Sequence, residues 1–132
     1  MLAEDNPSDV LIVREALAYH NVDATLTCHR DGEVMIRYID RMDQGEVPCP
    51  DVILLDLNLP RHDGQAVLAR IRRSPVCGQV PVIIVTSSKA SADYNEILRL
   101  GATSYFHKSI DYDESMRLGA LVLDIASRRK SM

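Results

Sequence analysis

Five residues in this chain carry side chains able to do chemistry together. Glu4 and Asp5 follow the apolar start Met1-Leu2-Ala3, and Asp56 follows Val52-Ile53-Leu54-Leu55. Thr86 follows Val82-Ile83-Ile84-Val85, and Lys108 follows the short segment Ser104–His107. If the first and third segments are neighbours, three carboxylates meet at one rim. Like charges that close force protonation unless a cation joins them. A hard, oxygen-seeking divalent cation is the natural partner, and Mg²⁺ suits a small open site that keeps waters. Lys108 adds a positive charge and the Thr86 hydroxyl a donor, a set that suits a small tetrahedral anion beside a metal ion. A carboxylate nucleophile, a divalent cation and a lysine point to phosphoryl transfer onto an aspartate. Each residue alone has an ordinary reading: Asp is common after strands, Thr86 can cap a turn, and Lys108 can be solvated. Their shared place at the ends of predicted strands is what the ordinary readings leave unexplained.

The elements that must position them are legible. Val52–Leu55 and Val82–Val85 are short apolar runs bounded by turn residues, the pattern of strands buried on both faces. Pro50 and Pro81 mark their entries. Between them, Gln65–Arg72 places Val67, Leu68 and Ile71 on one helical face with arginines opposite. Strand, helix, strand makes parallel neighbours with a right-handed crossover. The alternation extends both ways. A helix runs from Ser8 to about His20, with Pro7 and Ser8 at its start and Asp9 in its first turn. Ala24–Cys28 reads as a strand, and Asp31 caps a helix to about Met42. Ala92–Leu100 reads as a helix stopped by Gly101, and Ser104–His107 as a strand. The last helix, Asp111–Arg129, has Asp111, Asp113 and Glu114 at its positive end and Arg128, Arg129 and Lys130 at its negative end. The fold class is α/β: a doubly wound, five-stranded parallel sheet with helices on both faces. Met1-Leu2-Ala3 is short against the ~5–6 residues of a typical strand. A truncated strand 1, with residues missing ahead of Met1 or Met1 a late start, accounts for it.

Composition bounds the function. The 132 residues, 46% hydrophobic and 26% charged, fit one globular domain spanning 1–132, with no room for a separate effector. Fifteen basic against 19 acidic residues give a net charge of −4, so neither DNA nor an anionic membrane is expected as a partner. No apolar run approaches the ~20 residues of a membrane helix. Glu4 and Asp5 exclude a signal peptide, and the expected location is cytoplasmic. Cys28, Cys49 and Cys77 are odd in number and widely spaced, and read as reduced thiols. His20, His29, His62 and His107 show no zinc spacing with them. On the last helix Met116, Gly119, Ala120 and Leu123 form an apolar face that Leu118, Leu121, Val122 and Ile125 widen. So broad a stripe predicts a homodimer on that helix, with a helix tucked deeper into the core as the equal alternative.

The chain resembles a two-component response regulator receiver domain over nearly its whole length. The resemblance rests on Ala3-Glu4-Asp5-Asn6-Pro7-Ser8-Asp9 and on Leu54–Pro60 with Asp63-Gly64. It is completed by Val85-Thr86-Ser87-Ser88, and by Gly101-Ala102 with Tyr105 and Lys108. It implies the flavodoxin-like receiver fold with strand order 2-1-3-4-5. It implies that Asp56 is the phosphoacceptor, supplied by a sensor histidine kinase. Glu4 and Asp5 would hold Mg²⁺ with Asp56, Asp5 more directly, and the Asn58 carbonyl would supply another ligand. Lys108 would pair with the carboxylate and then the phosphoryl group. Thr86 would swing onto a phosphoryl oxygen while Tyr105, the aromatic switch, turns inward. Asn58 and Ser88 match the positions that tune hydrolysis of the acyl phosphate. Asp-Leu-Asn-Leu-Pro, Thr-Ser-Ser and the stretch Asp43–Asp51 are most similar to small stand-alone regulators of phytochrome-type histidine kinases.

One departure stands out. Receiver domains usually have Lys-Pro with a cis peptide where this chain has Lys108-Ser109; cis before Ser costs ~2.5–4 kcal/mol. Three rival classes remain. An aspartate-nucleophile phosphatase wants a second Asp where Asn58 stands. A flavodoxin-like cofactor binder needs a phosphate-cradling loop where Glu4 and Asp5 would repel phosphate. A receiver-like scaffold that needs no phosphate has no use for the intact acidic set.

Overall fold

The computed structural model describes residues 1–22, 26–57, 64–86, 95, 97–108 and 111–130, with backbone alone for Thr86, Arg129 and Lys130. Five strands form an all-parallel sheet in the order β2-β1-β3-β4-β5. They are β1 (Leu2–Ala3), β2 (Cys28–His29), β3 (Ile53–Leu55), β4 (Val82–Thr86) and β5 (Ser104–His107). Four helices complete the described elements: α1 (Pro7–Tyr19), α2 (Gly32–Asp43), α3 (Gly64–Arg72) and α4 (Tyr112–Lys130). Of the helix expected over Ala92–Leu100, Asn95 and residues 97–99 are helical, and most of the remainder lies outside the described residues.

Alternation along the central strands divides the core between the two faces. Ala3, Ile53, Leu55, Val82 and Ile84 pack with Met35, Ile39, Val67 and Leu68 from α2 and α3. Leu2, Leu54, Ile83 and Val85 pack with Val13, Leu17, Leu118 and Val122 from α1 and α4. Both faces are therefore covered, which is why these strands are continuously apolar rather than alternating with polar residues. The helices begin on their own side chains. Asn6 accepts from Ser8 N at 2.9 Å ahead of Pro7, and Asp31 accepts from Val34 N at 2.8 Å.

Two expectations are corrected. The described second strand is Cys28–His29, and Leu26 and Thr27 of the expected Ala24–Cys28 are not strand, because the two-residue β1 pairs Leu2 with Cys28 and Ala3 with His29. Residues 23–25 lie outside the described residues. Cys49 and Cys77 form a disulfide between Cα atoms 5.7 Å apart, and Cys28 alone is a free thiol. Each paired cysteine lies in the loop entering one of two adjacent strands, β3 and β4, which brings them together. On α4, Met116, Leu118, Val122 and Ile125 are buried against α1 and the sheet, as the alternative of a helix tucked into the core expects. Gly119 lies so close to α1 that a Cβ there would collide with the Ala16 carbonyl. The large apolar side chains exposed on that helix are Tyr112, at its first residue, and Leu123, 43% exposed. No helix among the described residues is long and apolar enough to cross a membrane.

Candidate functional site

The sequence placed its chemistry at the carboxyl ends of the strands, and register brings it together there. Ala3 and Leu55 are paired across β1 and β3, so the residues that follow, Glu4 and Asp56, leave the sheet side by side. Asp56 N donates to Ala3 O at 3.0 Å and Glu4 N to His29 O at 2.9 Å, which fixes both backbones. Gly64 opens α3 directly over this turn. A Cβ there would collide with Leu57 Cα and the Asp56 carbonyl, so the close approach requires glycine.

Glu4 and Asp56 are each 4% exposed, and Asp5 is at the surface. One oxygen from each of Glu4, Asp5 and Asp56 lies within 4.8 Å of the others. Thr86 pairs with His107 across β4 and β5, so Lys108 leaves the sheet beside the end of β4. Its Nζ donates to Glu4 Oε2 at 2.8 Å, Asp9 Oδ2 at 2.9 Å and Asp56 Oδ2 at 3.1 Å. Those three acceptors use all three donors of an ammonium. The other Glu4 oxygen accepts from Asn6 N at 3.2 Å.

Charge is unbalanced at this rim. Burial pushes the Glu4 carboxyl up to about 7; the Lys108 hydrogen bond opposes the rise and the Asp56 charge adds to it. Burial alone would lower the Lys108 ammonium, but hydrogen bonds to Glu4 and Asp9 and the charge of Asp56 outweigh it and raise it. A protonated lysine thus faces more carboxylate than it neutralises. Oxygen donors of this kind, close-set and partly open to solvent, fit a hard divalent cation.

Of the sequence-predicted residues, the fold brings Glu4, Asp5, Asp56 and Lys108 into one cluster. It places the Thr86 backbone at the same rim. Tyr105, paired with Ile84, is half-buried against the α2–α3 side of the core. Asn58, Ser88, the Thr86 side chain and the Lys108–Ser109 bond lie outside the described residues. Asp9 was missed. Its place in the first turn of a helix already had a sufficient explanation in the helix dipole, and its partner is 99 residues away. Asp9, Lys108 and Ser115 also line a cleft between α1 and α4, floored by Ile12, Val85, Phe106 and Leu118.

Comparison with known proteins agrees with this geometry. The family model described as response regulator receiver domain matches residues 1–118. Response regulator Rcp1 of Synechocystis sp. is 37% identical over 112 residues, which cover 83% of this chain and 75% of Rcp1. The phosphorylated cyanobacterial phytochrome response regulator RcpA superposes with a TM-score of 0.81 at 32% identity, covering 92% of this chain and 87% of that one. The Mn²⁺-bound form of Rcp1 does so at 0.80 and 31%, covering 92% and 88%.

Proposed function

The chain belongs to the response regulator receiver domain family, and from that premise we propose that it accepts a phosphoryl group on Asp56 from a sensor histidine kinase. The observation that carries the reading is the Asp56 carboxylate, buried between Lys108 at 3.1 Å and the carboxylates of Glu4 and Asp5. Its likeness to Rcp1 and RcpA supports a phytochrome-type kinase as the donor.

Glu4, Asp5 and Asp56 would hold the divalent cation, with the Asn58 carbonyl as a further ligand. Mg²⁺ is the proposed ion; when bound it neutralises charge on the carboxylates and on the phosphoryl oxygens. An Asp56 oxygen attacks phosphorus as the bond to the donor imidazole breaks, and the bonding pair leaves with that nitrogen. Lys108 then holds a phosphoryl oxygen by a charge-assisted hydrogen bond. Thr86 closes on another oxygen, and Tyr105 turns further inward behind it, shifting the population of the face formed by the expected helix Ala92–Leu100, β5 and α4. Asn58 and Ser88 set the rate of self-catalysed dephosphorylation. Asn58 in place of a second Asp supports a slow phosphoacceptor over a phosphatase that turns over external esters.

The proposal treats residues 1–132 as one cytoplasmic receiver domain that acts by binding partners through its own surface, without contacting DNA. Any pairing of two copies along α4 has to use its exposed side, where Leu123 stands. Sedimentation velocity with and without phosphoryl donor tests that pairing. The main test is phosphotransfer from an autophosphorylated phytochrome-type kinase, followed on a phosphate-affinity gel. We expect transfer to the wild type, and none to Asp56→Asn or in the presence of chelator. Transfer that persists in Asp56→Asn would overturn the reading.

A further inference from the structure

The ammonium of Lys108 has two kinds of partner. Glu4 and Asp56 belong to the carboxylate cluster that fits a divalent cation, and Asp9 does not. A cation held by Glu4 and Asp56 competes with Lys108 for those two carboxylates. Asp9 is then the acceptor Lys108 keeps.

Asp9 is well placed for this. It sits in the first turn of α1, whose start is fixed by Pro7 and by the Asn6 cap. The loop that carries Lys108 continues into Ser109, which brings none of the restraint a proline ring would. In the cleft that Lys108 lines, Val85, Phe106 and Leu118 offer no side-chain acceptor, and the Ser115 hydroxyl is engaged in donating to Asp111 O at 3.0 Å. One position of the ammonium satisfies Asp9 at 2.9 Å while leaving it 3.1 Å from Asp56.

We propose that Asp9 is a positioning residue: it anchors Lys108 when Glu4 and Asp56 turn to a cation, and keeps the ammonium beside the acceptor carboxylate. Without it, the partners Lys108 has among the described residues are the cation's own ligands, so it competes with the cation. This rests on the phosphoacceptor reading above and deepens it.

The test is a double-mutant cycle of Asp9→Asn and Lys108→Gln, with Asp9→Glu as the conservative variant. The first readout is calorimetric Mg²⁺ affinity of the unphosphorylated chain. Asp9→Asn should weaken it about fivefold in the wild-type background and by less than about twofold in the Lys108→Gln background. The second is the initial rate of Asp56 phosphorylation by phosphoramidate at saturating Mg²⁺. Asp9→Asn should slow it about tenfold, Asp9→Glu should recover most of that, and the double variant should be no slower than Lys108→Gln alone. Effects of Asp9→Asn that are equally large without Lys108, or wild-type affinity and rate in Asp9→Asn, would overturn the proposal. A wild type that binds Mg²⁺ yet takes no phosphoryl group refutes the phosphoacceptor reading instead, and the calorimetric cycle still decides the role of Asp9. A wild type that binds no Mg²⁺ refutes both.

Discussion

At the amino-terminal rim of the sheet, the Arg72 guanidinium donates to the carbonyls of Gly101 at 2.8 Å, Gly78 at 3.0 Å and Val80 at 2.6 Å. At the carboxyl-terminal rim, a single ammonium faces Glu4, Asp9 and Asp56, with Asp5 close by. The first rim is saturated. Arg70 pairs with Asp40 and Asp43 at 2.7 Å each, Ser74 donates to Asp43, and the Cys49–Cys77 disulfide ties together the loops entering β3 and β4. Gly101, at φ +103°, folds its turn directly over the Arg72 side chain. The second rim carries surplus charge of one sign. The contrast teaches a division of labour: side-chain bonds that fix the strand entries are gathered at one rim, and the other end holds the charge cluster on a frame already fixed.

The contrast can be broken or sharpened experimentally. Arg72→Met leaves three carbonyls without their guanidinium donor, and should cost about 3 kcal/mol or more in urea unfolding. It should leave Mg²⁺ affinity within about twofold of wild type, since a far-rim change need not reach the site. A loss confined to Mg²⁺ affinity would erase the distinction between the rims. Reducing the disulfide, which spans a sequence separation of 28, should cost about 3 kcal/mol, and Cys49→Ser should reproduce that loss without reductant. Identical wild-type melts with and without reductant would remove the staple from the account.

The acidic rim should behave in the opposite way. Glu4 has its pKa raised from 4.5 to about 7 by burial, so the folded state binds that proton more tightly than the unfolded chain does. Its contribution to stability is complete below about pH 4.5 and is lost as pH rises through about 7. In chelator, stability should fall on the order of 2 kcal/mol across that window, and Glu4→Gln should flatten the profile. A profile unchanged by Glu4→Gln would locate the titration elsewhere. Removing one like charge by Asp56→Asn should stabilise the metal-free chain by about 1 kcal/mol, read by thermal or urea unfolding. Destabilisation there would mean that the Lys108 contact outweighs the carboxylate repulsion.

How much of this was legible in the sequence follows from where each signal is local. β3 and β4 were readable because strands covered on both faces are apolar runs that end sharply at Asp56 and Thr86, whereas the partly buried β5, Ser104–His107, was placed by the turn at Gly101 before it. The caps of α1 and α2 lie within three residues of what they bind. β2 was misplaced because its register is set by pairing with the two-residue β1, not by its own composition. The disulfide was missed because pairing between loops 28 residues apart depends on which strands are neighbours. The width of the α4 stripe left a partner chain and a deeper seat in the core as equal readings, because only the folded geometry shows how much of it α1 covers, as at Gly119. At the site, strand ends announced Glu4, Asp5, Asp56 and Lys108. Asp9 enters from a helix start, and only the folded geometry sets it against Lys108.

The central claim is that the surplus charge at one rim exists to receive a cation and then a phosphoryl group on Asp56. Intact and peptide mass spectrometry after treatment with acetyl phosphate tests it most directly. A single adduct of about 80 Da, one phosphoryl group, is expected on Asp56, formed only when Mg²⁺ is present. No adduct with Mg²⁺ present, or one that survives Asp56→Asn, would contradict it.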